Sequence, residues 1–167
     1  MKKKMSGMSM IGVLLIVLLV GGIFFVYKMV NIGNDIPKMQ LEYTVDGKTE
    51  KMSVNHGTAS WQTIYGGIQS DSLHPLDAVG DIPEIKKIDG LKEIKINFSS
   101  KPTSYSVRCW EDRYIKKTEA YEKYYEVVKI SDNTFTVPDD NKGYIYEVHA
   151  TWPQGDVYYA FYITNSN

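Results

Sequence analysis

The chain begins with one long apolar stretch and continues with short segments in which apolar and polar residues alternate. As a helix, the uncharged run 6–27 would span roughly 30 Å, the thickness of the hydrocarbon core of a bilayer. The pattern therefore predicts a transmembrane signal anchor at 10–30, after a basic tail at 1–9. A linker at 31–37 then leads into one folded domain at 38–167.

Beyond the linker, apolar residues recur at every second position, which is typical of strands with one buried face. The predicted strands are 39–45, 48–54, 58–63, 84–88, 91–98, 103–111, 134–137, 144–152 and 157–163. Asp46-Gly47, Asp89-Gly90 and residues 153–156 mark predicted hairpin turns. About nine short strands at regular spacing predict an all-β fold, an immunoglobulin-like antiparallel β-sandwich preceded by a single N-terminal transmembrane helix.

Two segments do not follow the alternation. Residues 64–82 contain three glycines and show weak periodicity, so we expect one long irregular stretch there, and we expect His56-Gly57 to end the strand 48–54. Residues 120–130 combine good helix formers with Tyr and Val. This segment is open between helix and strand, and we favour a strand that begins near Tyr124.

Charge around the apolar run predicts which side of a membrane the domain occupies. Lys2, Lys3 and Lys4 precede the run and only Lys28 follows it closely, so the positive-inside rule places the N-terminus in the cytoplasm and residues 38–167 outside. A cleaved signal peptide is disfavoured because no small-x-small site follows the run. Lipid anchoring would need a cysteine directly after the run, and Cys109 is the only cysteine in the chain.

A pilin-like N-terminus is the alternative to a plain anchor. The stretch around Gly7 resembles the class III signal of type IV pilin-like proteins, in which a glycine precedes the cleavage point. The family's glutamate would fall on Gly12, so this chain departs from the pattern there. Cleavage after Gly7 would leave a mature chain beginning at Met8.

Composition narrows the functional classes. Residues up to 37 hold four Lys and one Asp, which leaves 15 basic against 19 acidic residues, a net charge of −4, for the rest of the chain. A mildly acidic domain is a poor nucleic-acid binder. Twelve of the 13 Tyr and all three Trp lie in this part, as expected for strands and for contact surfaces. With one cysteine there is no internal disulfide, which fits a Gram-positive cell surface.

A set of short motifs is shared with a known family. These are Gly57 with Trp61; Asp71, Ser72, His74, Pro75 and Leu76; Lys101-Pro102; and Tyr144, Tyr146, Glu147, Val148, Trp152, Gly155, Tyr159, Ala160 and Phe161. Together they resemble a family of uncharacterised membrane-anchored or lipoprotein domains of Gram-positive bacteria. The resemblance implies a β-sandwich and an extracytoplasmic location, and it implies no activity.

The segment 71–77 carries the densest group of polar side chains, among them Asp71, Ser72, His74 and Asp77. The favoured interpretation is structural, with Asp71 and Ser72 binding loop backbone groups while His74 and its neighbours fix the loop to the core. The alternative is contact with a ligand or metal, or a hydrolase centred on this loop. The chain offers neither a Gly-x-Ser-x-Gly elbow nor zinc-type spacing of His and Cys.

A second candidate contact surface surrounds Trp110. This residue ends its strand on the parity of Arg108, so we predict an exposed aromatic beside Arg108, Arg113 and Tyr114, with an aromatic packed under its own loop as the alternative. Trp61 and Trp152 are assigned to the core. Cys109 is predicted to be a small buried residue.

These observations predict a membrane-anchored extracytoplasmic recognition or sensing module without catalytic residues, cofactor or metal. Its expected partners are the membrane, through the N-terminal helix, and a protein or cell-wall ligand. The alternatives are a pilin-like or envelope-assembly component, and an enzyme that uses the 71–77 loop.

Overall fold

The computed structural model describes residues 12–13, 16–23, 35–63, 66–87 and 91–165. The chain divides into two units, 1–34 and 35–167. In the first unit, 12–13 and 16–23 are helical; the rest of the predicted anchor and the basic tail lie outside the described residues. Among the described residues, no helix has both the length and the apolar character needed to cross a membrane.

The second unit is built of short strands, as the alternating pattern predicts. The strands are β1 (Met39–Val45), β2 (Lys48–Val54), β3 (His56–Thr63), β4 (Gly66–Ser70), β5 (Glu84–Lys87), β6 (Glu93–Phe98), β7 (Ser104–Glu111), β8 (Glu126–Val127), β9 (Thr134–Thr136), β10 (Tyr144–Trp152) and β11 (Gly155–Asn165). Two 3-10 turns, Asp112–Tyr114 and Thr118–Ala120, follow β7. The all-β prediction is confirmed.

The strands form two sheets that face each other. The small sheet has the order β2-β1-β6-β9, and the large sheet has the order β4-β3-β11-β10-β7-β8 with β5 beside β11. The β5–β11 pair is parallel, whereas the other described pairs are antiparallel. Fully buried residues of both sheets, such as Leu41 and Ile96 from one and Val148 and Phe161 from the other, belong to one hydrophobic cluster. This shared core makes the unit a β-sandwich.

The hairpin predictions have different outcomes. Asp46 and Gly47 both have positive φ, 50° and 73°, and join β1 to β2 as predicted. Trp152 is in register with Gly155, so the last turn contains two residues rather than the predicted four. The hairpin predicted around Asp89-Gly90 is wrong: β5 joins the large sheet and β6 the small one, and residues 88–90 themselves lie outside the described ranges.

Strand pairing also corrects the predictions for the segments that do not follow the alternation. Strand β3 begins at His56, where a break was predicted, and β4 forms inside the stretch expected to be irregular. β4 (GGIQS) lacks apolar alternation and is an edge strand held by its pairing with β3. In 120–130 the only strand is β8, which pairs with Arg108 and Cys109 and begins at Glu126 rather than near Tyr124. β4 and β8 therefore form because β3 and β7 pair with them, and not because of their own strand propensity.

The outer face of the large sheet is covered. Ile145 and Glu147 have the outward parity in β10, yet they are only 0% and 6% exposed. The cover comes from the segments 71–83 and 112–125, which fold over this face and build a second hydrophobic cluster. Its fully buried members are Leu76, Trp110, Ala120 and Ile145.

Candidate functional site

Trp110 is part of the cover and does not form an exposed contact. It is 1% exposed, and its indole Nε1 donates a hydrogen bond of 3.1 Å to the carbonyl oxygen of Ala120. The predicted exposed patch around Trp110 is therefore wrong, and the alternative, an aromatic packed under its own loop, is correct. The outward parity was right, but the loop after β7 returns over that face.

Arg108 lies under the same cover, between two aromatic rings. Its guanidinium carbon is 4.9 Å from the ring centroid of Trp110 and 5.3 Å from that of Tyr125. Its Nε donates to Glu147 Oε2 at 2.6 Å, and its Nη1 lies 3.3 Å from Glu122 Oε2. Arg108 is thus largely enclosed, with its charge shared between two carboxylates.

Arg113 and Tyr114 form a separate surface feature. The guanidinium of Arg113 lies 4.8 Å from the Tyr114 ring centroid, and the Tyr114 ring stacks on Tyr124 at 5.0 Å. Arg113 is also paired with Glu111 at 2.8 Å. The four residues predicted to form one patch are therefore split between the buried face and the surface.

His74 holds the 71–77 loop against Tyr121 and Trp110, as the structural interpretation predicted for this residue. Its ring stacks on Tyr121 at 3.7 Å between centroids and meets Trp110 edge-on at 5.0 Å. The hydroxyl of Tyr121 donates to Asp77, and this hydrogen bond raises the pKa of Tyr121 to about 12. His74, Asp77 and Trp110 are thus brought together, while Asp71 stays exposed at the start of the loop.

The protonation of the His74 ring follows from its contacts. Nδ1 accepts a hydrogen bond of 3.2 Å from the backbone N–H of Leu76, so the neutral ring carries its proton on Nε2. Burial lowers the pKa of His74, and the positive charge of Arg108 lowers it further. Nε2 is buried and has no hydrogen-bond partner among the described residues. His74 therefore has one unused donor, which is enclosed by the protein.

Ser72 binds Thr58 of the neighbouring strand β3, not a backbone group of its own loop as predicted and not His74. Its backbone N–H donates to Thr58 Oγ1 at 3.2 Å, and the two hydroxyl oxygens are 3.1 Å apart. Gly57 permits this close approach, because a Cβ there would lie 2.7 Å from Ser72 Oγ. The loop therefore assembles no Ser–His pair of the kind that nucleophilic catalysis uses.

A cleft of about 760 Å³ opens between this loop and the large sheet. It lies where β11 changes partner: β3 is in register with β11 up to the pair His56–Tyr159, and β5 begins at the pair Glu84–Tyr162. Ala160 falls between the two partners and lines the cleft. We name this space the loop cleft. Its walls include Thr58, Leu73, His74, Ile82, Glu147 and Tyr158.

Glu147 supplies the buried charge of the loop cleft. Oε2 is held by Arg108, whereas Oε1 makes no hydrogen bond with the described residues and is not among their fully buried unpaired atoms. Burial raises the pKa of Glu147, and Arg108 lowers it by less, so the net direction is upward. Nothing in the sequence pointed to this role for Glu147, because its ion pair depends on the register that places it opposite Arg108 on β7.

Metal binding finds no support in the described part of the chain, where no group of three or more His, Cys, Asp or Glu could hold an ion. His149 is half-buried, with its ring stacked on Tyr158 at 4.3 Å and its Nε2 3.1 Å from Asp156 Oδ1. Cys109 is buried as predicted, and burial raises the pKa of its thiol to about 12. A thiol with that pKa is not a nucleophile near neutral pH.

Trp61 and Trp152 belong to the main core, as predicted. They are 2% and 4% exposed and contact each other edge-on at 5.7 Å. None of the three tryptophans therefore offers an exposed face for stacking on a sugar.

Comparison with known proteins gives no match to a family model, to a curated protein or to a solved structure. The resemblance to membrane-anchored or lipoprotein domains of Gram-positive bacteria accordingly stays a prediction.

Proposed function

We propose that residues 35–167 form a non-covalent recognition module whose ligand binds in the loop cleft. The observation that carries this proposal is Glu147, a buried carboxylate in the lining of the cleft, of which Arg108 holds Oε2 and no described residue holds the acceptor Oε1. Binding sites in proteins are typically concave and largely apolar with a few polar groups. A ligand that donates a hydrogen bond to Oε1 would satisfy this acceptor.

The cleft has the volume of a small-molecule or single side-chain site. About 760 Å³ lies within the range of ligand pockets, which runs from roughly 300 to 1,000 Å³. Its walls are strands and a loop fixed by buried contacts of Leu76 and Trp110. A site on rigid elements loses less entropy on binding than one on a mobile loop.

The cellular setting we propose is the outer face of a cell membrane. The uncharged run 6–27 and the cluster Lys2, Lys3 and Lys4 support a single-pass signal anchor with a cytoplasmic N-terminus. Protease added to intact protoplasts should then digest residues 35–167. Protection of this unit, with a known surface marker cleaved, would show that the topology is inverted.

We also propose that the sandwich is immunoglobulin-like in architecture. Two sheets with a shared core support this class, which includes domains of varied topology. The observed orders 2-1-6-9 and 4-3-11-10-7-8 are not the ABED and CFG orders of antibody constant domains. A structural comparison from an experimental structure tests the assignment.

A fragment screen against a blocked cleft tests the recognition function. Ala160→Trp would place a large side chain in the cleft and obstruct it, and Thr49→Trp places the same side chain on an exposed position of β2 in the other sheet. Fragments that bind the wild type and Thr49→Trp, but not Ala160→Trp, would support the loop cleft as the site. If no fragment depends on the cleft, the proposal fails.

A further inference from the structure

The loop cleft is lined by acidic and imidazole side chains. Asp81 and Glu147 carry carboxylates, His56 and His74 carry imidazoles, and no Lys or Arg lies among the described lining residues. A binding site without a fixed positive charge does not favour an anionic ligand.

Glu147 is only partly compensated by its own ion pair. Arg108 also contacts Glu122, so the three side chains together carry one net negative charge. The upward shift in the pKa of Glu147 has burial as its largest cause, which means that one guanidinium does not offset the loss of hydration. A second positive group beside Oε1 would complete the compensation.

The other walls suit a short hydrocarbon chain. Leu73 is 64% exposed, and Pro75 and Ile82 line the same space. Tyr158 also lines the cleft, and its ring is stacked on His149. His74 adds no competing positive charge, because its Nδ1 accepts the N–H of Leu76 and its ring is neutral.

We propose that the loop cleft binds an organic cation, a primary ammonium group on a short alkyl chain, with the ammonium on Glu147 and the chain against Leu73 and Ile82. This inference rests on the proposed recognition function of the same cleft. Two sources carry this chemistry, a free alkylamine and the side chain of a lysine.

Titration of the full-length chain with n-pentylamine and 1-pentanol, followed by NMR, tests the inference. The two probes share a chain length and differ in charge, so we expect the amine to bind about tenfold tighter. Glu147→Gln should weaken amine binding about tenfold and leave the alcohol nearly unchanged. Because that variant also disturbs Arg108, Asp81→Asn provides a second test at an exposed wall position. Asp71→Asn, an exposed carboxylate outside the cleft, is the matched control.

A third probe, Nα-acetyl-lysine N-methylamide, separates the two sources. Tighter binding of pentylamine would identify a free alkylamine as the ligand, and tighter binding of the lysine derivative would identify a partner's side chain. Equal affinity for amine and alcohol, an unchanged affinity in both cleft variants, or failure of both amines to bind would overturn the inference. If neutral fragments then still bind the wild type and fail to bind Ala160→Trp, the recognition function of the cleft stands and only the preference for an ammonium group is removed.

Discussion

Trp110→Ala is the substitution that best tests the covered face of the large sheet. The indole is 1% exposed, packs against His74 at 5.0 Å and lies beneath the Arg108 guanidinium. Truncating a buried Trp to Ala typically costs about 3–5 kcal/mol of unfolding free energy, through lost burial and the cavity that remains. The hydrogen bond to Ala120 adds little, because that carbonyl also accepts the backbone N–H groups of Lys123 and Tyr124.

A loss of this size is a large part of the stability of a single domain, which is typically about 5–15 kcal/mol. We expect the midpoint of thermal unfolding to fall by roughly 15 °C, since about 1 kcal/mol corresponds to about 4 °C for a unit of this length. Urea denaturation of the purified full-length chain, followed by far-UV circular dichroism, measures the change in unfolding free energy, and a thermal scan with the same signal measures the midpoint. Neither uses the deleted indole as a probe.

Two control variants make the test specific. Trp110→Phe retains most of the apolar contact and should lose less than half of what Trp110→Ala loses. Tyr124→Ala removes a ring from the same region that is 50% exposed, and should cost under about 1 kcal/mol. A Trp110→Ala protein within about 1 kcal/mol of the wild type would refute the buried assignment and restore the exposed patch.

Three further substitutions test the fold and the loop. Gly155→Ala should prevent the last hairpin from closing, with a loss above about 3 kcal/mol or no soluble protein, because φ is 148° and a Cβ would lie 1.8 Å from the carbonyl oxygen of Ser60; wild-type expression and unfolding would contradict this. Tyr159→Phe should cost about 1–2 kcal/mol in urea denaturation, because its hydroxyl donates a 2.6 Å hydrogen bond to the Pro37 carbonyl oxygen across the core; a neutral effect would show that water replaces it. The lowered pKa of His74 means that the unfolded chain binds a proton first as pH falls below 6.5, so the wild type should lose stability there and His74→Gln should lose less; parallel pH profiles for the two proteins would exclude the linkage.

The alternation of apolar and polar residues was enough to predict most strands and most residues of the main core. Alternation placed β1, β2 and β10 within their observed bounds, because a half-buried strand needs an apolar residue at every second position. The Asp46-Gly47 turn was equally readable, because positive φ at consecutive residues favours these residue types. By contrast, β4 and β8 have no such pattern and form only through pairing with β3 and β7.

In the candidate site, too, some features were predictable from the sequence and others depend on the fold. The sequence by itself determined the all-β class and the buried Cys109, since these depend on the alternation along each strand and on side-chain type. It also indicated that His74 fixes its loop, but the partners that do so, Tyr121 and Trp110, are distant in the chain and only the fold identifies them. Only the tertiary structure decided that Trp110 is buried and that Glu147 lies in the floor of a cleft, because both outcomes depend on which distant segment covers the outer face of the sheet. Parity assigns a side chain to a face of a sheet, and whether that face meets solvent is set by contacts between residues far apart in the chain.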